Sequence, residues 1–239
     1  MDWRDTGFVL TARRHGESSL IVELLTAEHG RHAGLVRGGQ SPKRRALLQP
    51  GNLVAASWRG RLEEHLGTFD IELARAHAAG LIDDADRLAA LSSAAALIAV
   101  ALPEREPHGD VYQGFAMLIV AFDSADWAAR YVEWECALLA ALGYGLDLTS
   151  CAATGVNDDL AYVSPRSGRA VSRSAGTPYH DKLLALPAFL WRAAAAENAD
   201  IVAGLTLTGH FLHHHLLAPH DRTLPEARAR LAERLRRLV

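Results

Sequence analysis

The chain has 239 residues, of which 49% are hydrophobic and 22% charged, and its formal net charge is −3. This composition is typical of a globular protein and excludes a disordered or fibrous chain. No apolar run reaches the roughly 18 residues that a membrane-spanning helix needs, and the first residues lack the pattern of a signal peptide. With only two cysteines, Cys136 and Cys151, a disulfide scaffold is disfavoured. We therefore expect a reducing, cytoplasmic setting and no membrane.

Positive charge is concentrated near the start of the chain. Residues 1–61 contain ten basic and five acidic residues, so this segment carries +5 and the remainder −8. Such asymmetry favours a polyanion-binding segment attached to an acidic body. The alternative is a basic surface that only keeps a small domain in solution, and charge by itself does not separate the two.

Five short strand-like segments follow one another through the first 80 residues. They are rich in β-branched and apolar residues, and turn residues separate them; they are TGFVLTARR, SSLIVELLT, GRHAGLVRG, GNLVAASWRGR and HLGTFDIELAR. This pattern predicts a five-stranded barrel over residues 1–79, such as an OB-fold, which binds single-stranded nucleic acid with its face and loops. An SH3-like barrel is the alternative, because alternating hydrophobicity does not distinguish the two.

A basic, glycine-containing segment, VRGGQSPKRRALLQP, lies between the third and fourth predicted strands. We expect a loop whose glycines allow close backbone approach and whose cations contact phosphates without reading the base sequence. Cations at neighbouring strand ends extend this surface. The predicted DNA-binding residues are Arg13, Arg14, Arg31, Arg37, Lys43, Arg44, Arg45 and Arg59. Phe8 and Trp58 are candidate platforms for base stacking, although core packing is the favoured role for Trp58.

From about residue 80 the hydrophobic period lengthens to three or four residues, which indicates helices. The chain therefore belongs to the α+β class, with an all-helical second domain predicted over residues 80–239. A loop insert rich in glycine and proline is predicted at about 147–179. After it, a helix is predicted over HDKLLALPAFLWRAAAAE, broken or kinked at Pro187.

Several segments, in chain order, resemble the RecO family of bacterial recombination mediators. They are TGFVLTARRHGESSLIVELLTAEHGR, LVRGGQSPKRRALLQPGNLV, RYVEWECALLAALGYGLDLTSC and HDRTLPEARARL. None is as specific as a nucleotide-binding loop, but the ordered set extends over the whole chain. The resemblance implies an OB-fold followed by a helical domain in a cytoplasmic, nucleoid-associated DNA repair protein that is not an enzyme.

The resemblance also implies partners. Members of the family bind single- and double-stranded DNA and anneal complementary strands. With the partner RecR, they help to load RecA onto strands coated by the single-stranded DNA-binding protein. For partner docking we expect Arg130, Tyr131 and Trp134 on the central helix to form an apolar pocket with a cation beside it. The alternative is that Arg130 is an ordinary surface residue and Trp134 belongs to the core.

Many relatives carry a zinc-binding insert with two C-x-x-C pairs, and this chain departs from that pattern. Cys151 is kept, but Thr154, Ser172 and Ala175 stand at the other three ligand positions. Tetrahedral zinc needs about four nitrogen or sulfur ligands. We therefore expect no metal and no cofactor.

The histidines near the C-terminus do not change this expectation. His210 and His214 are four residues apart, a spacing that can bind metal on a helix, but no glutamate stands where a zincin helix has one. No catalytic triad or carboxylate pair is recognisable either. The main alternative to a DNA-binding mediator is a protein-interaction scaffold that does not bind DNA, and an enzyme is a lesser one.

Overall fold

The structure, a computed structural model, describes residues 1–62 and 64–238. The chain forms two compact units, which are Met1–Ile119 with Pro225–Arg228, and Val120–Leu224 with the chain from Ala229 onward. The predicted α+β class, with a five-stranded sheet at the N-terminus and helices after it, is confirmed. No helix in the described part of the chain is long and apolar enough to cross a membrane.

The first unit is built on a closed five-stranded barrel. Its strands are β1 (Asp2–His15), β2 (Ser19–Thr26), β3 (Gly30–Val36), β4 (Leu53–Arg59) and β5 (Thr68–Arg75). Their order around the barrel is β1-β2-β3-β5-β4, and β1 pairs with β4 to close it. All neighbours are antiparallel except β3 and β5. The interior is filled by apolar side chains that include Val9, Val22, Val54, Trp58 and Phe69.

The basic segment between β3 and β4 was predicted to be a loop, and this is wrong for its second half. Pro42–Leu47 form a short helix, α1, with the proline in its first turn, where a missing N–H has no cost. Leu48, directly after α1, is buried in the barrel core. The helix therefore gives the cations of this segment defined directions.

Three helices follow the barrel: α2 (His77–Gly80), α3 (Ala85–Ala101) and α4 (Gly109–Ala121). Asp84 caps α3 by accepting hydrogen bonds from the first backbone N–H groups of the helix. The segment after α3 packs tightly on the start of β3. Gly30 has a φ of +64° there, and a Cβ atom at this position would lie 2.1 Å from the Glu106 carbonyl oxygen. Only glycine fits this contact.

The domain predicted over residues 80–239 as all-helical with a loop insert is wrong in one respect, because two strands of a small sheet lie in the insert and a third follows it. The helices of the second unit are α5 (Trp127–Ala141), α6 (Arg173–Gly176), α7 (Asn198–Phe211) and most of α8 (Glu226–Arg236). The three antiparallel strands, in the order β7-β6-β8, are β6 (Leu160–Val163), β7 (Ala170–Ser172) and β8 (Leu184–Ala185).

The helix predicted after the insert is also wrong. Its place is taken by a 3-10 turn (Thr177–Lys182), strand β8 and a second 3-10 turn (Ala188–Leu190), and α7 begins only at Asn198. Pro187 lacks the N–H that a helix interior requires. The backbone before it pairs with β6 instead, since the Leu186 N–H donates to the Ala161 carbonyl at 2.9 Å.

Candidate nucleic-acid interface

Four arginines from separate segments of the first unit line one cleft on the barrel. This cleft has a volume of about 420 Å³, and we call it the arginine cleft; its lining residues are Arg4, Val36, Arg37, Arg44, Ser57, Arg59, Thr68, Phe69 and Asp70. In the β1–β4 ladder Arg4 lies opposite Ser57, and Arg59 lies opposite Asp2. Because side chains two residues apart point to the same face, Arg4 and Arg59 share the outer face of the barrel.

The arginine cleft carries a formal charge of +3, since Asp70 is the one carboxylate among its lining residues. Arg4, Arg37 and Arg59 are exposed, and within residues 1–62 and 64–238 no carboxylate pairs with them. Arg44 is half-buried and donates from Nη1 to the Ile71 carbonyl at 3.1 Å. Three guanidinium groups are therefore available to an anion, and the fourth is anchored to β5.

Two other predicted DNA-binding residues line a separate groove. Arg14 and Arg45 belong to a cleft of about 620 Å³, which we call the second cleft; it is lined by Ala12, Arg14, Leu20, Gln40, Pro42, Arg45, Ala46, Leu48, Gln49 and Pro50. Arg13 and Lys43 are exposed, but neither is among the lining residues of either cleft. The structure thus divides the predicted set between two grooves and the surface around them.

Arg31 lies in the interior, which corrects its assignment as a DNA contact. The residue is 8% exposed, and its Nη1 pairs with Glu23 at 2.9 Å. Its Nε donates to the Leu102 carbonyl at 3.0 Å. Arg31 therefore joins the barrel to the segment after α3, and its Nε and Nη1 groups have partners within the protein.

The aromatic residues proposed as stacking platforms are also interior. Phe8 is 4% and Trp58 1% exposed, so the favoured role of Trp58 in the core is confirmed. The Trp58 Nε1–H donates to the Leu66 carbonyl at 3.0 Å. Trp3 is half-buried and lines a small neighbouring pocket together with Arg4 and Arg59, and its ring stacks on His29 with centroids 4.2 Å apart. Its indole is therefore already covered on one side.

Sequence reasoning missed Arg4 because the first strand was predicted to start at Thr6, whereas β1 starts at Asp2. A signal for the longer strand exists. In the sequence, the apolar Trp3 stands between the charged residues Asp2 and Arg4, and in the structure exposed and half-buried residues alternate from Asp2 to Thr6. Extending the period-2 pattern by four residues would have placed Arg4 on the outer face.

His32 in β3 is a buried base inside the aromatic cluster of the barrel. It is 2% exposed, its ring makes edge contacts with Trp3 and Trp58, and neither ring nitrogen has a hydrogen-bond partner among the described residues. Burial, with smaller contributions from the positive charges of Arg105 and His29, lowers the pKa of His32 from 6.5 to about 4. The folded protein therefore holds this imidazole neutral.

We expect the free energy of unfolding to fall as the pH is lowered through this window. Below pH 6.5 the unfolded chain binds a proton at His32 that the folded protein refuses until about pH 4, so protonation favours unfolding between these values. The measurement is urea unfolding as a function of pH, for the wild type and for His32→Leu. The variant should lose this part of the acid sensitivity, and parallel pH profiles for the two proteins would contradict the expectation.

The residues proposed for partner docking on α5 do not form an exposed pocket. Tyr131 is 0% and Trp134 6% exposed, so both rings belong to the core of the second unit, and the expected aromatic pocket is wrong. Arg130 is exposed and pairs along the helix with Asp126 and Glu133, each at 3.0 Å. The alternative reading of this helix, with Arg130 on the surface and Trp134 in the core, is confirmed.

The four positions of the family's zinc pattern do not supply a zinc site. Cys151 is 1% exposed, and its Sγ accepts a hydrogen bond from the Ser172 N–H at 3.2 Å. Burial raises the pKa of this thiol, but hydrogen bonds from Ser172, Thr154 and the Ala153 backbone outweigh it and lower the pKa to about 6. One thiol, two hydroxyls and the methyl group of Ala175 do not fit tetrahedral zinc. Across the described residues no three His, Cys, Asp or Glu side chains converge as metal ligands.

We expect metal removal to leave the protein unchanged. Because hydrogen bonds hold the insert around Cys151, dialysis against a strong zinc chelator should not alter the melting temperature, which scanning calorimetry measures. Metal analysis of the purified protein serves as the control. A lower melting temperature after chelation, together with released zinc, would contradict this expectation, since structural zinc contributes directly to folding free energy.

Comparison with known proteins agrees with the sequence resemblance. The family model described as Recombination protein O N terminal matches residues 1–77, and the one described as Recombination protein O C terminal matches residues 82–224. The two matches leave residues 78–81 between them. The domain boundary predicted after residue 79 stays a prediction.

Relatives that match nearly the whole chain agree with the family models. The chain is 56% identical over 239 residues to the DNA repair protein RecO of Rhodospirillum centenum, covering 99% of this chain and 96% of the relative. It is 54% identical to that of Rhodospirillum rubrum, covering 99% and 97%, and 50% identical to that of Mesorhizobium japonicum, covering 99% and 94%. The chain belongs to the RecO family of DNA repair proteins.

Proposed function

We propose that this chain is a DNA-binding recombination mediator whose barrel is an OB-fold and whose arginine cleft holds the backbone of a single DNA strand. The observation that carries the proposal is the convergence of Arg4, Arg37, Arg44 and Arg59 on one groove of the barrel. A five-stranded barrel in which β1 pairs with both β2 and β4 supports the OB-fold assignment.

The proposed interaction is electrostatic and does not depend on base sequence. Guanidinium groups displace the counterions condensed on phosphates, and this release makes affinity fall as salt rises. Contacts to phosphates position a strand but carry no sequence information. Arg13 and Lys43, exposed beside the clefts, add to the local positive potential. A mediator of this kind needs no covalent chemistry.

The wider role that we propose follows from family membership. It comprises binding of single- and double-stranded DNA, annealing of complementary strands and, together with RecR, loading of RecA onto strands coated by the single-stranded DNA-binding protein, in the bacterial cytoplasm. The names of the relatives, DNA repair protein RecO, support a role in repair. Arg130 remains an exposed candidate for a partner contact, without the aromatic pocket expected beside it.

Fluorescence anisotropy with labelled single strands tests the proposal against a scaffold that does not bind DNA. We expect binding at low salt with similar affinity for unrelated sequences, and faster annealing of complementary strands when the protein is added. Repeating the annealing measurement on strands coated with the single-stranded DNA-binding protein tests the mediator role. Absence of binding at low salt would favour the scaffold.

A further inference from the structure

The residues that line the second cleft suit a ligand that carries several negative charges and also has apolar surfaces. Its floor includes Leu20 and Leu48, and its charged groups are the guanidinium groups of Arg14 and Arg45. No carboxylate is among its described lining residues, in contrast to the arginine cleft with Asp70. Its volume of about 620 Å³ lies within the roughly 300–1,000 Å³ of well-formed ligand sites.

Helix α1 contributes lining residues to both clefts. Arg44 lines the arginine cleft and its neighbour Arg45 lines the second cleft, because consecutive residues on a helix point about 100° apart. The Arg44 Nη1 donates to the Ile71 carbonyl of β5 at 3.1 Å, which fixes the helix against the barrel on that side. Two neighbouring cations of one short helix thus serve two different grooves.

Groups bound by Arg44 and by Arg45 would lie on different sides of α1, spaced by about the thickness of the helix. An α-helix with its side chains is about 10–12 Å across. The major groove of B-DNA, which separates the two backbones of a duplex, is about 12 Å wide and admits one α-helix. Two backbones on either side of α1 would therefore be separated as they are across a major groove.

We propose that the second cleft binds the backbone of a second DNA strand, through Arg14 and Arg45, while the arginine cleft holds the first. This inference rests on the proposed function, and it assigns to α1 the position between two strands that are about to pair. An acidic protein segment would also suit two arginines above an apolar floor. The shared wall with the arginine cleft and the match between helix and groove width favour DNA.

The test compares two double variants of the full chain. Arg14→Ala with Arg45→Ala removes both cations of the second cleft. Arg166→Ala with Arg173→Ala is the control, because it removes two exposed cations of the second unit that line neither cleft. Both variants change exposed side chains, and a thermal melt verifies folding. Arg14→Lys with Arg45→Lys preserves the charges and should restore most of the activity.

Three readouts decide the outcome. The wild type should bind two short oligonucleotides per chain at saturation, and the Arg14/Arg45 variant one. This variant should keep its affinity for a first strand within about twofold and anneal complementary strands about tenfold more slowly. The control variant should anneal at a rate closer to that of the wild type.

Each contrary result has a distinct meaning. Unchanged stoichiometry and annealing in the Arg14/Arg45 variant would overturn the second-strand site while the proposed function stands. A polyglutamate peptide that binds the wild type but not the Arg14/Arg45 variant, with annealing unchanged, would also overturn the second-strand site. The second cleft would then bind an acidic protein segment. No binding of single strands by the wild type would overturn both proposals.

Discussion

Replacing Arg4, Arg37 and Arg59 together by alanine should weaken binding of single-stranded DNA by about 30-fold. Each of these exposed side chains lines the arginine cleft, and an exposed contact contributes roughly 0.7 kcal/mol, so three contribute about 2 kcal/mol. The loss should be the same for unrelated sequences because phosphate contacts do not discriminate between bases. Fluorescence anisotropy at one moderate salt concentration measures it.

The matched control is Arg173→Ala, which removes an exposed arginine of the second unit that pairs with Asp159. It should bind DNA like the wild type. Equal affinities for the triple variant and the wild type would remove the arginine cleft from the interface. Because the three substituted side chains are exposed, the melting temperature should change little.

Replacing Arg31 by alanine should lower the free energy of unfolding by about 3–5 kcal/mol, because it leaves the charge of Glu23 buried without its partner. The Arg31 and Glu23 side chains are only 10% and 16% exposed in their 2.9 Å ion pair. The Leu102 carbonyl would also lose the hydrogen bond from Nε. Urea unfolding measures the change.

A double variant separates the cost of an unpaired charge from the value of the pair. Arg31→Met with Glu23→Leu replaces both ions by apolar side chains, which often costs little, so it should recover much of the lost stability. The folded variants should retain the DNA affinity of the wild type. A loss below about 1 kcal/mol for Arg31→Ala would contradict the buried-pair account, because exposed pairs have that value.

The barrel could be predicted because the hydrophobic pattern of most of its strands can be read from neighbouring residues in the sequence. One face of β4 is buried and the other is largely exposed, so hydrophobicity alternates along the sequence and reveals the strand. In β3 six of seven residues are buried, and Arg31 at its start contacts Leu102 and Glu104 of the segment after α3. Arg31 was assigned to the surface because it is a cation at a strand end, and a contact with a segment 71 residues away is not visible in the local sequence.

The insert and the two clefts depend on contacts between residues that are distant in sequence. The segment after residue 180 is rich in alanine and leucine, so local propensity favours a helix, but pairing of β8 with β6 and Pro187 decide against it. The arginine cleft combines β1, β4, β5 and the segment around α1. Sequence identified most of its cations, but only the closed barrel shows which of them lie together.

The salt dependence of single-strand affinity tests the central claim most directly. In a plot of log affinity against log salt concentration, the wild type should give a steep negative slope, and the Arg4/Arg37/Arg59 variant a slope shallower by roughly 2, at about 0.7 per phosphate contact. Parallel lines for the two proteins, or affinity of the wild type that is independent of salt, would contradict the proposal that these arginines hold the DNA backbone.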